Sequence, residues 1–504
     1  MSCLSTIVPL LILLSGTLWA AQEERFDPPL GGSYLGVSLR DAPEGDPAPV
    51  RVARGAVVVR SVEPGSAAER AGLRPGDRVL RFGDAGPIAD LAALPRAVKS
   101  LPPREPAEIE VFRDGQRLSL TVVPDPAILR DHYEIVGHLR DSSFLKGRSD
   151  FDAALRGILE SVPPALRRAR RASEAYEILN SAVGGLGTSH TAVIPPWTYS
   201  NLLASDRDET GGFATGLILD RIGGRAGGEV VFFAGEVAAG GAAAGVLQAG
   251  DEVLMVNGAP IAASPRLTLA GFEASRPRYT LQVDRGETIR LEIRRRRDGP
   301  VETVALTADR ALNGVIVARA SRRIAIQGGR RVLIVHLWNL LSLKLPDLLE
   351  GYLKDRNEPA EGLVIDLRGR GGQVRVMSRL AAILKLEKRP LALLIDGETR
   401  SAKEILAFQL KGSPDTVLVG ETTAGAVLPA SYRQLAGGGM LMLPLEPGGI
   451  NRLTGEESLE GRGVDPDLRV PRAGIYAAGA DPILDAGIRA VVDLLDPQAR
   501  RKRL

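Results

Sequence analysis

In GETRSAKEIL (397–406), the apolar run LALLID (391–396) gives way to a helix-forming segment, KEILAFQL. Ser401 sits on the boundary, with Glu404 three residues on. That is the S-x-x-E capping box, in which a serine accepts a hydrogen bond from a helix-start N–H. A sharp strand-to-helix turn is also a place for a nucleophile, because it exposes a hydroxyl beside free backbone donors. A serine hydroxyl is nearly un-ionised at neutral pH and needs an adjacent base. The chain offers four histidines: His132, His138, His190 and His336. His336 lies inside an apolar strand, VLIVHLW, where a core histidine is expected. His132 and His138 open a helical region remote from any other motif. His190, in LGTSHTAV, leaves a helix for a polar loop. Scattered histidines without H-x-x-x-H spacing argue against a zinc site, and no metal or cofactor is expected. Lys403 is no substitute base, since residues two apart on a helix face different ways.

The elements that must position these residues follow from periodicity. From about residue 311, RVLIVHL, EGLVIDLRG, LALLID and DTVLVGE are near-continuous apolar strands, with SRLAAILKLE and SAKEILAFQLKG as helices between them. Such strands belong in a sheet covered on both faces. The second strand runs into GLVIDLRGRGGQ (362–373), whose glycines let backbone N–H groups approach a ligand closely. Neither G-x-x-x-x-G-K nor a complete G-x-G-x-x-G is present, so a phosphate loop is disfavoured. Residues 131–195 lack β-alternation; FDAALRGILESV and ASEAYEILNSAVGGLG read as amphipathic helices, and RRARRAS as a solvated helix face. Two other stretches repeat one plan. RAGLRPGDRVLRFGD (71–84 region) and AGVLQAGDEVLMVNG (244–258 region) align on their Gly-Asp turns, each flanked by short β-branched runs, which indicates a duplicated domain.

The 504 residues allow three or four domains, and a net charge of +3 with no basic stretch interleaved with aromatics gives no nucleic-acid signature. The N-terminal run LSTIVPLLILLSGTLWA is short for a membrane span and ends in small residues, as a secretory signal peptide would (1–21); MSCLST lacks Lys and Arg, which leaves an uncleaved N-terminal anchor as the alternative and the one membrane contact expected. Cys3 is the single cysteine, so no disulfide or thiol chemistry is expected. Export to the periplasm or the extracellular space is the expectation.

Both repeats resemble PDZ domains, which take a peptide C-terminus as an added strand and hold its carboxylate on a glycine-containing loop. The matching loops are Tyr34-Leu35-Gly36-Val37 and Thr215-Gly216-Leu217-Ile218. GLVIDLRGRGG, SAKEILAF, VLVGETTAG and LEGRGVDPDL, in that order, resemble the carboxy-terminal processing and tricorn-type serine peptidase family. The resemblance implies Ser401 as nucleophile, with Gly371, Gly372 and the N–H of Ala402 forming the oxyanion hole. The processing-peptidase branch takes its base from a lysine in the turn after V-x-G-E; that position here is Ala426, which cannot accept a proton. The tricorn branch uses a histidine directly after a serine, matched by Ser189-His190, and a glutamate matched by Glu460. Glu456 and Glu457 are weaker candidates for that carboxylate. Asp366 and Arg368 read as structural residues of their turn.

The expected architecture is a signal peptide (1–21), a PDZ-like β-barrel (30–127) and a helical part (131–200). A second PDZ-like β-barrel (211–308), a crotonase-like ββα α/β core (311–495) and a basic tail (496–504) follow. The expected function is an exported serine endopeptidase that takes peptides or unfolded proteins, in part through their C-termini. The alternative, motivated by Ala426, is an inactive homologue whose PDZ-like domains bind peptides.

Overall fold

The structure, a computed structural model, describes residues 27, 30–41, 57–198, 215–223, 230–270, 277–309, 312–455 and 458–496. The expected signal segment, all but the first residue of the basic tail, Glu456 and Glu457 lie outside the described residues. The chain divides into two compact units: residues 1–186 with 434–441, and 187–433 with 442–504.

In the first unit, the β-branched runs form an antiparallel sheet. Its order is Val37–Asp41, Val57–Val62, Arg78–Phe82, Ala107–Arg113 and Gln116–Val122, with Gly86–Pro87 paired to Arg78–Phe82. Alternate residues such as Ile109 and Val111 are fully buried while their neighbours face outward, as a one-sided sheet requires. Helix Ala93–Ser100 covers its core with Leu94, Ala97 and Val98. Four helices follow: Ile128–Asp141, Ser143–Lys146, Phe151–Arg168 and Ala172–Gly184. RRARRAS is not a helix face. It contains the break between the third and fourth of these helices, where Ala169 is extended and fully buried. A small apolar residue at the corner lets the two helices fold back on each other.

The second unit opens with another antiparallel sheet. Its order is Leu267–Leu269, Tyr279–Leu281, Leu217–Ile222, Val231–Val237, Glu252–Val256, Thr288–Arg294 and Val301–Thr307. The repetition reaches single hydrogen bonds. In the first sheet Glu63 and Ala68 N–H donate to Gly36 and Leu35 O; in the second Ala238 and Ala243 N–H donate to Gly216 and Thr215 O. Buried Asp77 pairs with Arg113 at 2.6 Å, and buried Asp251 with Arg295 at 2.7 Å. The Gly-Asp turn recurs because its aspartate caps the preceding loop, at Arg74 N in one copy (2.8 Å) and at Gln248 N in the other (2.9 Å).

The remainder is a six-stranded sheet ordered Arg323–Gln327, Arg330–His336, Gly362–Asp366, Leu391–Ile395, Thr416–Gly420 and Leu468–Arg469. It is parallel after its first strand pair. Leu333, Leu363, Ile365, Leu393 and Leu418 pack beneath helices Lys344–Leu353, Val374–Leu386 and Ala402–Leu410. Ile334, Val364, Leu394 and Val419 face helix Pro482–Leu495 on the other side. Two covered faces are why these strands read as continuous apolar runs. Helix Pro482–Leu495 carries the signs of a helix start that the sequence reading passed over, an Asp481 N-cap with proline behind it.

In the first unit, His132 is fully buried and neither ring nitrogen has a hydrogen-bond partner among the described residues. Burial, aided by Arg167, pushes its pKa down to about 4. A depressed histidine pKa means that the unfolded chain takes up the proton first, so stability present above about pH 6.5 is lost as pH falls toward 4. Neighbouring Asp131, raised to about 6 by burial, works in the opposite sense: its contribution is lost as pH rises from about 4 to 6. His132→Leu removes only the first effect. Thermal melts should show the variant gaining about 2 kcal/mol on the wild type at pH 5 relative to pH 8; an equal difference at both pH values contradicts this assignment.

Candidate active site

Ser401 stands where strand Leu391–Ile395 has ended and helix Ala402–Leu410 begins. Its backbone adopts φ +56°, ψ −126°. An L residue occupies that region at a cost of order 1–3 kcal/mol, so the turn must be held by its surroundings. The holder is Glu404. Its carboxylate is fully buried and accepts four hydrogen bonds, from Ser401 N (3.0 Å), Thr423 Oγ1 (2.6 Å), Gly425 N (2.7 Å) and Ala426 N (2.8 Å). Burial raises its pKa, and these four donors act against that rise. Ser401 N also donates to Ala426 O at 2.9 Å. The position where a lysine base is absent thus touches the nucleophile turn through its main chain.

The next two N–H groups of that turn go to a second carboxylate. Val427 N and Leu428 N donate to Glu460 Oε2 at 2.9 and 3.3 Å. Glu460 also accepts from Ser189, at its N–H (3.2 Å) and its hydroxyl (3.0 Å), and Ser189 Oγ lies 2.9 Å from His190 Nδ1. The serine has one hydroxyl proton and an ionised carboxylate can only accept it. Ser189 Oγ therefore accepts from Nδ1–H, and the lone pair of His190 is assigned to Nε2. Burial, with a smaller push from Arg400, lowers the His190 pKa to about 3, so its ring is neutral at pH 7. Its backbone, like that of Ser401, is left-handed (φ +57°). Ser401 and Glu460 are both bonded to the turn 425–428, Ser189 is bonded to Glu460, and His190 to Ser189.

Gly371 packs directly on Ser401: a Cβ there would lie 3.0 Å from Ser401 Cβ and 3.2 Å from Arg400 O. At Gly372 a Cβ would lie 2.4 Å from Leu340 Cβ, and Leu340 N donates to Gly371 O at 3.0 Å. Only glycine permits this approach. The N–H groups of Gly371, Gly372 and Ala402 donate to no acceptor among the described residues. Asp366 and Arg368 hold the base of the same loop. Arg368 binds Asp366 (2.6 Å) and Asp481 (2.7 Å), which fastens the glycine turn to the start of the last helix. Desolvation by burial, aided by Arg370 and opposed by Asp366, Glu236 and Asp396, lowers the Lys403 pKa to about 7. Its Nζ donates to Trp338 O (2.9 Å) and Arg368 O (3.0 Å), so the ammonium braces main chain and is not directed at Ser401.

The two peptide-loop candidates differ. In the first sheet, strand Val37–Asp41 is terminal and no strand among the described residues pairs with its outer edge; Gly36 takes φ +79° and Tyr34 donates its hydroxyl to Glu63 at 2.7 Å. In the second, Thr215, Gly216, Leu217 and Ile218 do not front an open edge. The chain between the two Gly-Asp-turn strands and the final hairpin forms helix Ala93–Ser100 in the first copy but strands Leu267–Leu269 and Tyr279–Leu281 in the second. Tyr279 pairs with Leu219, and Thr280 Oγ1 donates to Leu217 O at 2.8 Å. The edge expected to receive a peptide is filled by the chain's own strand. Nothing in the periodicity of RYTLQV signals which neighbour it would choose.

Residues 378–470 match the profile of peptidase family S41, and residues 33–123 match that of the PDZ domain. The chain thus carries an S41 peptidase segment and a PDZ domain. It is 23% identical over 400 residues to the chloroplastic carboxyl-terminal-processing peptidase 1 of Arabidopsis thaliana, spanning 74% of this chain and 77% of that one. Shorter matches, 39% over 101 residues to a zinc metalloprotease of Ralstonia nicotianae and 33% over 107 to the regulator of sigma-E protease RseP of Escherichia coli, span only 21% and 20% of those proteins. Among solved structures, the photosystem II D1 C-terminal processing protease aligns over 74% of this chain and 98% of its own, at 17% identity and TM-score 0.42. The tricorn protease aligns over 88% and 46%, at 14% identity and TM-score 0.39. The S41 match contains Ser401, Glu404, Ala426 and Glu460; Ser189, His190, Gly371 and Gly372 lie outside it.

Two variants test the strained turn. Ser401→Gly relieves φ +56° and should stabilise the protein by about 1 kcal/mol. Glu404→Gln leaves buried N–H donors facing an amide and should cost roughly 2–3 kcal/mol. Denaturant unfolding measures both; a destabilised Ser401→Gly would contradict the strain, and a neutral Glu404→Gln the clamp.

Proposed function

We propose that this protein is a serine-type peptidase that cleaves peptides or unfolded proteins through an acyl-enzyme on Ser401. The reading is supported above all by the continuous set of hydrogen bonds from Glu460 through Ser189 to His190. Nε2 of His190 takes the Ser401 proton as Oγ attacks the scissile carbonyl, then returns it to the leaving amine. The N–H groups of Gly371, Gly372 and Ala402 receive the oxyanion, where one such donor is worth about 10²–10³ in rate. Ser189 and Glu460 fix the ring and stabilise the imidazolium. Water then repeats the sequence on the acyl-enzyme. Residues 211–308 belong to a second domain of PDZ-like fold, and the α/β core is a crotonase-like ββα unit. The open edge at Tyr34, Leu35, Gly36 and Val37 receives substrate C-termini, and the N-terminal segment directs export.

A serine-reactive fluorophosphonate should label the wild type and not Ser401→Ala, and His190→Ala should lower peptide turnover by at least about 10³-fold. Peptide binding without labelling or turnover would replace this reading with that of an inactive peptide-binding homologue.

The low pKa of His190 fixes the expected pH profile. The ring is a competent base only when neutral, and it stays neutral down to about pH 3. The acid limb of kcat/KM should therefore lie well below the usual histidine range, with most activity kept at pH 5. A limb centred near 6.5 would show a solvated imidazole.

A further inference from the structure

The edge of the second sheet is filled, and the elements that fill it make a second set of contacts. Ala270, just past strand Leu267–Leu269, accepts a hydrogen bond from Arg370 Nη2 at 3.1 Å. Arg370 is the residue before Gly371, and its guanidinium lies 4.8 Å above the ring of Trp338. Trp338 is buried; its Nε1–H donates to Glu236 Oε1 at 2.5 Å, and Glu236 is the penultimate residue of strand Val231–Val237. The other Glu236 oxygen lies 3.5 Å from Arg278, whose main-chain O accepts the Ala270 N–H at 2.8 Å. Ala270, Arg370, Trp338, Glu236 and Arg278 thus form a closed ring of contacts, three members from the second sheet and two from the core.

We propose that Arg370 and Trp338 are positioning residues for the glycine loop, held in register by Glu236 and the Ala270 carbonyl of the second sheet. This rests on the reading of Gly371 and Gly372 as oxyanion donors. The ring reaches the loop from both sides. Arg370 is bonded covalently to Gly371. Trp338 O accepts Lys403 Nζ, which also binds Arg368 O, and Leu340, two residues after Trp338, donates to Gly371 O. Gly369 takes φ +81°, a conformation that suits glycine, and lies beside Glu236: a Cβ there would sit 3.5 Å from Oε2. A planar guanidinium stacked on an indole and bonded to a carbonyl fixes the direction of the backbone that carries it, which a flexible ammonium would not. The second sheet then serves as a fixed support for the oxyanion loop. It does not act as a peptide receptor, consistent with its occupied edge.

The test uses the full-length protein and a fluorophosphonate whose phosphonyl oxygen must enter the same donors, with kinact and KI measured separately. Wild-type labelling at Ser401 comes first; its absence would overturn both this proposal and the peptidase reading. Arg370→Ala and Trp338→Leu should each lower kinact by about 10- to 100-fold, with KI within about 3-fold. Trp338→Phe, which keeps a ring beneath the guanidinium, should recover most of the loss. The double variant Arg370→Ala/Trp338→Leu should be no slower than the worse single one, because the two act as a unit. Labelling of wild type with unchanged kinact in Arg370→Ala and Trp338→Leu overturns the proposal alone. So does a loss confined to KI, or additive losses in the double variant. If Arg370→Ala fails to fold, Arg370→Lys and Trp338→Leu carry the comparison, with reduced kinact expected and wild-type kinact excluding the role.

Discussion

A carboxylate buried without water is costly unless its oxygens are filled with donors, and Glu404 satisfies that requirement with four of them. Those donors belong to two separate pieces of chain: the serine turn and the loop 423–426. The need to solvate one charge therefore fixes where Ser401 sits relative to the loop after strand Thr416–Gly420. Glu460 repeats the device on Val427, Leu428 and Ser189. Four consecutive N–H groups, the first two on Glu404 and the next two on Glu460, tie the Ser401 turn to the segment that carries His190. The strained backbone at Ser401 and His190 is sustained by this arrangement.

The same turn explains how an alanine can stand at position 426. In the lysine-bearing branch that the sequence resembles, a side chain at this place provides the base. Here the position works through its main chain, its N–H on Glu404 and its carbonyl under Ser401 N. The buried lysine that does exist, Lys403, has a depressed pKa for lack of solvent, yet its donors are directed at the carbonyls of Trp338 and Arg368. A shifted pKa near a nucleophile is a functional hint only when the geometry aims the group at the reaction. Lys403 braces the loop; His190, neutral and with Nε2 free of its serine partner, has the lone pair.

Two copies of one sheet have diverged at a single connection. The paired turns, the Asp–Arg bridges and the loop carbonyl bonds are retained. The segment between them is a helix in one copy and a strand pair in the other, and this exchange closes an edge. An exposed edge strand invites pairing, and in the second copy the chain's own strand supplies it. The covering segment then becomes available for contacts with Arg370.

The sequence by itself determined the elements and the chemistry-bearing residues. Continuous apolar runs identified a sheet covered on both faces, period-two runs identified the two β-domains, and the Gly-Asp turns exposed the duplication. These are legible because each depends on local spacing alone. Ser401, Glu404 and Gly371 were likewise visible as residue types at a turn. RRARRAS misled for the same reason: its composition suits a helix face, and only the packing of Ala169 into a corner breaks the helix there. The tertiary structure alone decided which residues share a site. Ser189 meets Glu460 across 271 positions, and Glu236 meets Trp338 across 102. Spacing carries no trace of such pairings, because they arise from burying charges and aromatic rings against whichever strand the fold brings beside them. The filled edge of the second sheet was beyond sequence for the same reason: a short alternating strand states that it will pair, and not with what.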